Sequence, residues 1–223
     1  MAEAASIMRN GGASRPGCPP PDSSQVTHGS QLPHRRAGAA LTLNFPSLSV
    51  MPSLEVAVTE QHRRTPLDVT GEPLKVQLET FLDEHRAALH ACLDGLTEEQ
   101  ARRRLVPSRT TLLGLVKHAT YAEKVWFGEA ITGRPRQEMG LPPTAAEAFI
   151  LTDEDTIESV RRAHAQACEA SRRATAGLSL DDVLRGHYLG PLPLRWVYLH
   201  VLREFAQHCG HADILREQIL STG

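Results

Sequence analysis

Aromatic residues are scarce in this chain, with two Trp, three Tyr and five Phe making up 4% of it. Its core must therefore be built mostly from Leu, Val and Ala. Cysteine is sparse as well. Cys18, Cys92, Cys168 and Cys209 form no C-x-x-C pair, which argues against a disulfide framework or a Cys-based zinc site and fits reduced thiols in a cytoplasm. No apolar run approaches the ~20 residues that span a bilayer, so nothing points to a membrane protein. Nor is there an excess of one charge: 24 Lys and Arg face 26 Asp and Glu, for a net charge of −2. The clusters Arg35-Arg36, Arg63-Arg64, Arg102 to Arg104 and Arg172-Arg173 are dispersed and balanced by nearby acids. Without a basic face there is no footprint for a phosphate backbone, and nucleic acid is not an expected partner.

Proline, glycine, serine and alanine are plentiful in one place. Residues 1 to 66 carry Gly11-Gly12, Pro16 and Pro19-Pro20-Pro21 and show no sustained period of 2 or 3.6. Such a segment buries too little apolar surface to offset its ordering entropy. It is expected to be a disordered N-terminal extension, or a wrongly assigned one if translation starts at Met51. Arg35-Arg36 followed by Ala37 to Val50 is a poor match to a twin-arginine export signal, because Asn44-Phe45-Pro46 interrupts it and it has no A-x-A site. The folded domain is expected over 67–223.

From Pro73 onward the pattern is helical. Leu74, Leu78, Phe81, Leu82, Leu89 and Leu93 recur at helical spacing and define a first helix over about 73–94. Gly95 stops it, and Thr97 to Gln100 reads as a short capped turn. Ser108 is placed to cap a second helix over about 109–131, ending before Gly133-Arg134-Pro135. Thr152 with Asp155 approximates a capping box for a third helix over about 153–176, closing at Gly177. A fourth runs from about 194 to 220. No stretch alternates like a strand, so the expected fold is all-α, a four-helix bundle with a buried apolar centre. The loops at 133–152 and 178–193 are longer than bundle turns need, and long loops tend to shape a binding mouth.

Histidine is the residue this chain has in abundance, with eleven copies. The densest set lies on the fourth helix: His200, Glu204, His208 and His211. At about 100° per residue, Val197, Val201, Phe205, His208, Ala212, Leu215 and Ile219 share one face, so His208 sits inside the apolar stripe. Glu204 and His211 fall about 40° and about 60° from His208 on the same side, close enough to ligate one ion together. Three ligands on one helix rarely close a site. The second helix offers His118, flanked one turn away by Gly114 and Ala122, whose small size leaves room around an inward-facing imidazole. Imidazole and carboxylate suit zinc foremost, with nickel, iron or manganese as alternatives, and three protein ligands leave a position for water or substrate. Glu204 has two further candidate roles, as general base or as the acceptor that orients a ligand imidazole. His85 lies on the buried stripe of the first helix and is a further candidate for the same cavity. His90, His164 and His187 lack such a context and are expected to be solvated. Cys209 is expected to pack, and Arg195 and Arg216 to make surface salt bridges.

Leu112-Leu113-Gly114-Leu115-Val116-Lys117-His118 and Glu123-Lys124-Val125-Trp126-Phe127 resemble the second helix of DinB-like proteins, in particular the actinobacterial domain-of-unknown-function branch labelled mini-circle protein. Leu194-Arg195-Trp196-Val197, with His200, Glu204 and the run His208 to Glu217, is similar to that branch's last helix, and Val106-Pro107-Ser108 also fits. The likeness covers about 70–220. It implies a four-helix bundle, frequently a homodimer, with a divalent metal held between the second and fourth helices. His118 matches the second-helix ligand. The family pairs two residues four apart on the last helix, either His and His or Glu and His. Glu204 and His208 have that spacing, while Ala212 breaks the His-and-His version, and the expected order of ligands is His118 and His208, then His211, then Glu204. The resemblance also implies a thiol S-transferase or isomerase in which the metal lowers the pKa of a low-molecular-weight thiol such as mycothiol, with a small electrophile as the other reactant. Glu204, where it is not a ligand, would take the proton. Water activation toward hydrolysis is the related alternative, and a non-catalytic metal-binding bundle is the competing class.

Overall fold

The computed structural model of the chain describes residues 64–221, so the expected extension, the twin-arginine match and Cys18 lie largely or wholly outside the described residues. Thr65 opens the described part with a 3-10 turn, Pro66–Val69, closed by the Asp68 carboxylate on the Thr65 backbone and hydroxyl. Helix α1 is Leu74–Ala91, stopped where Gly95 takes φ 70°. The short α2, Glu98–Arg102, has the expected Thr97–Gln100 capping box.

Helix α3 starts later than expected. It begins as Leu112–Glu123, because the Thr111 hydroxyl, not Ser108, accepts from the Gly114 N–H; Ser108 spends its hydroxyl on Thr110 in the turn before. It continues through a π-helical Lys124–Glu129 into Ala130–Thr132 and ends at Gly133, φ 69°. Helix α4 is Ile157–Thr175, again later than expected. Thr152 and Asp155 do bond each other, but they form a separate turn that Lys117 anchors through Asp155; Thr156 and Ser159 make the capping box. Helix α5 is Leu194–Ser221. Ahead of it stands the one departure from pure helix among the described residues. Two-residue strands β1 (Val183–Leu184) and β2 (Leu192–Pro193) pair antiparallel. They are too short for alternation to betray them.

The fold is an all-α bundle. α5 packs along α1, and α3 packs against both α4 and α5. The stripe read from the sequence faces inward as expected: Val197, Val201, Phe205, Ala212, Leu215 and Ile219 are all buried. On α1 only Leu78, Leu82, Leu89 and Leu93 follow the pattern, while Leu74 and Phe81 are exposed. One cluster gathers Leu78, Leu82 and Leu89 with Ala119, Ala122, Phe127 and Phe205; a second, around Leu113, Val116, Val160 and Leu215, fills the other part and takes in Leu93. Gly186 fixes the β1–β2 loop onto the end of α3. Its N–H donates to Ala130 O, and a Cβ there would stand 2.3 Å from Glu129 O, an overlap no side chain survives.

Two polar features sit inside this core. Arg86 of α1 forms a two-pronged ion pair with the fully buried Glu123 of α3, each contact 2.8 Å, and also meets Asp83, which Arg172 of α4 holds from the far side. His164 is fully buried and His187 nearly so, which corrects the expectation that both are solvated; His90 is half-buried with its ring 5.0 Å from His164. Sequence context could not reveal this, because the residues that cover these rings come from distant segments. Arg195 does pair with Asp181, whereas Arg216 donates to the Cys92 and Asp94 carbonyls and tethers the end of α1.

Removing one member of a buried ion pair leaves a bare charge in the core, at a typical cost of about 3–5 kcal/mol. Arg86→Met is therefore expected to lower the urea-unfolding free energy by that much, and Arg86→Met with Glu123→Gln by much less; equal losses in both would mean the pair is not what holds α1 to α3. Burial drives the His164 imidazole down to about 3. Its folded pKa lies below the unfolded value near 6.5, so its share of stability is complete above 6.5 and is lost as pH falls toward about 3, with a slope approaching about 1.4 kcal/mol per pH unit. The stability of His164→Gln, followed by chemical denaturation from pH 7 to 4.5, should fall less steeply than that of the wild type. Parallel curves would exclude His164 as a source of acid sensitivity.

Candidate metal centre

The small residues Gly114 and Ala122 suggest open space beside His118. Part of that space is filled by the chain itself. The 3-10 turn Glu147–Phe149 lies against α3, and the Phe149 ring stacks on the His118 imidazole at 4.2 Å and 13°. Lys117 holds the end of this loop through Ile150 O and Asp155. Arg136 braces its start, reaching Glu129, the Tyr121 hydroxyl and Pro143 O. The Ala145 carbonyl then lies 3.3 Å from His118 Nδ1.

A carbonyl can only accept, so this contact puts a proton on Nδ1 of His118. In the neutral ring Nε2 then carries a lone pair. Nε2 points at Glu204 Oε1, 2.9 Å away, and Glu204 is itself an acceptor when ionised. Two lone pairs cannot face each other at that distance; a proton or a metal cation must lie between them. His208 Nε2 is 3.9 Å from the same oxygen, and the rings of His118 and His208 meet edge-on at 4.9 Å. The ligand atoms of His118, Glu204 and His208 all lie within 4.8 Å of one another. Ligands about 2.0–2.2 Å from a tetrahedral zinc stand roughly 3.3 Å apart, so small side-chain adjustments would suffice. His208 Nδ1, on the other side of the ring, is buried without a hydrogen-bond partner.

The electrostatics suit a cation. Burial pushes the Glu204 carboxyl up, but the hydrogen bonds and charges of His118 and His200 outweigh it and hold the group well below the usual carboxylate range. Glu204 is thus an anion at any working pH. Burial, reinforced by His118, drives His208 down to about 4, leaving it the neutral imidazole that metals require. The site is not sealed, since the side chains of Glu204 and His208 keep 20% and 15% of their surface in solvent against 5% for His118.

Three of the residues singled out by spacing and motif meet at this place. His211 is exposed, its ring 5.8 Å from that of His208, and stands outside the gathered donors. His85 turns back onto the Phe81 carbonyl. His200, to which the sequence assigns no role, bonds the other Glu204 oxygen at 3.3 Å, an i,i+4 contact that its spacing could have flagged. Phe149 and Ala145 had no sequence signal.

A second group of donors, Glu123, His164 and Cys168, also lies within 4.8 Å and is buried. It is poorly suited to an ion. Both Glu123 oxygens are taken by Arg86, and burial lifts the Cys168 thiol to about 12, far from the thiolate that binds metal.

No helix among the described residues is long and apolar enough to cross a membrane. No curated protein sequence matches the chain significantly. Residues 77–220, well over half of it, match the family model described as Mycothiol-S-transferase. With that match on an all-α bundle, the chain belongs to the mycothiol S-transferase family of the DinB-like superfamily.

Proposed function

We propose that the protein is a metal-dependent thiol S-transferase in which His118, Glu204 and His208 hold one divalent cation, zinc foremost, and mycothiol is the thiol. The observation that carries this reading is the facing of His118 Nε2 and Glu204 Oε1 at 2.9 Å with the His118 proton committed to Ala145 O. Family membership favours S-transfer over isomerisation or hydrolysis. The partly open site supports an enzyme over a structural metal, whose ligand shell is normally closed.

When bound there, a divalent cation lowers the pKa of a thiol so that the thiolate nucleophile exists near neutral pH. The protein's own groups do the rest. Glu204 is too weak a base to keep a proton, so its place is as ligand and as the acceptor that anchors His200, whose other ring nitrogen accepts from Arg203; the thiol proton goes to solvent. The sulfur then attacks a small electrophile, the S–C bond forms, and the leaving group departs with its bonding pair. Phe149 and the Ala145 carbonyl keep His118 in the ligating tautomer. His211 remains at the rim. A cytoplasmic homodimer is the assembly we favour, with residues 1–66 as an appendage to the bundle.

Elemental mass spectrometry on tag-free protein should find about one divalent ion per chain in the wild type and in His211→Ala, and less than a tenth of that in His118→Ala and His208→Ala. Zinc-dependent consumption of mycothiol should follow the same order. A folded wild type that holds no metal and refuses added zinc or nickel would overturn the proposal.

A further inference from the structure

Both tryptophans of the chain meet at one spot beside His200. Trp126, on the π-helical turn of α3, and Trp196, in the first turn of α5, have ring centroids 5.8 Å apart. His200 lies against both, at 4.0 Å from Trp126 and stacked on Trp196 at 5.1 Å and 14°. The loop that Gly186 docks onto α3 brings His187 flat against Trp126 at 4.3 Å and sets Tyr188 next to it. Arg136 lies 4.8 Å from the Tyr188 ring. In a chain so poor in aromatics this is a concentration, and it is not sunk in the core. Trp196 keeps 41% and Tyr188 60% of its surface in solvent. Large aromatic rings held at the surface by a rigid support, beside a polar centre, commonly mark a place where something binds.

His200 makes the link. One face of its ring lies on the tryptophans, and its Nε2 is 3.3 Å from Glu204 Oε2. The aromatic patch is therefore continuous with the donors of the metal centre, one residue removed. We propose that Trp126 and Trp196 form the seat of the electrophile, and that this seat selects planar aromatic or conjugated acceptors over small aliphatic ones. The inference rests on the thiol chemistry proposed above. Offset stacking of a flat, electron-poor ring on indole adds about 0.5–1.5 kcal/mol to the area buried, an advantage an aliphatic electrophile lacks. With 1-chloro-2,4-dinitrobenzene the thiolate sulfur attacks the ring carbon, the S–C bond forms, chloride leaves with the C–Cl pair, and the thiol proton is released to solvent.

All tryptophan emission originates in this seat, so binding can be read without turnover. The full chain loaded with zinc is titrated with 2,4-dinitroaniline, an unreactive nitroaromatic, while emission is followed. Saturable quenching at submillimolar concentration is expected, at least tenfold weaker in Trp196→Leu, where Trp126 still reports. Quenching that rises linearly without saturation, or equal affinity in the variant, would overturn the proposal. Turnover separates this from failure of the underlying reading. Trp196→Leu with unchanged zinc content should raise KM for 1-chloro-2,4-dinitrobenzene at least tenfold, with a several-fold smaller loss in mycothiol alkylation by iodoacetamide. Equal losses with both electrophiles would make Trp196 merely structural and sink the seat. If the wild type consumes mycothiol with neither electrophile, it is the thiol-transfer reading that falls.

Discussion

Between α3 and α5 two groups rich in lone pairs are held face to face. His118 Nε2 and Glu204 Oε1 stand 2.9 Å apart, and the backbone carbonyl behind His118 fixes its proton on the wrong side to relieve them. Such an arrangement is stable only with positive charge between the partners. A proton between the partners or a divalent ion meets that requirement. Much of the surrounding architecture maintains this opposition. Phe149 fixes the plane of His118, and Arg136 and Lys117 pin the loop that carries both Phe149 and Ala145.

The helices must be held in register for such a contact to persist, and α3 is the member with neighbours on both sides. Its inner length is almost wholly buried from Leu112 to Val116 and from His118 to Glu123. Glu123 is the expensive residue there, a carboxylate with no surface in solvent, balanced by a guanidinium whose own pKa is raised by the pair. Buried pairs of this kind add little net stability but penalise any alternative packing heavily. Here that penalty bears on α1 against α3, about one and a half turns along from His118. Beyond Glu123 the π turn adds a residue to the helical count, rotating the rest of α3 by about 100° relative to a regular helix. Trp126 lies in that turn, facing the His200 side, while Phe127 goes to the core.

Helix number, order and inward faces were legible in the sequence, because each rests on a 3.6-residue repeat that survives substitution among Leu, Val and Ala. The starts of α3 and α4 were not. Ser108 and Thr111, or Thr152 and Thr156, are chemically equivalent caps, and the choice between them is made by tertiary contacts such as Lys117 with Asp155. His118 and His208 were the leading candidates because a helical wheel and a family motif agreed on them; that Glu204 and not His211 lies beside them emerges only from the packing. Phe149 could not be found, since nothing in a Gly- and Pro-rich loop announces which ring will stack on a helix far earlier in the chain. His164 and His187 show the converse. A histidine with polar or small neighbours in sequence reads as solvated, and only the packing of α1 and the Gly186 loop around them says otherwise.

Glu204 divides its contacts between two oxygens. Oε1 faces His118 and, at longer range, His208; Oε2 faces His200, which is not among the gathered donors. A carboxylate serving only as proton acceptor would not be held so far below the usual carboxylate range. The run His200, Glu204 and His208, each one turn from the next on a single face of α5, sets one carboxylate oxygen toward His118 and the other toward His200, whose ring lies on Trp126 and Trp196. The order of these groups is thus set by α5 together with His118 and Trp126 of α3.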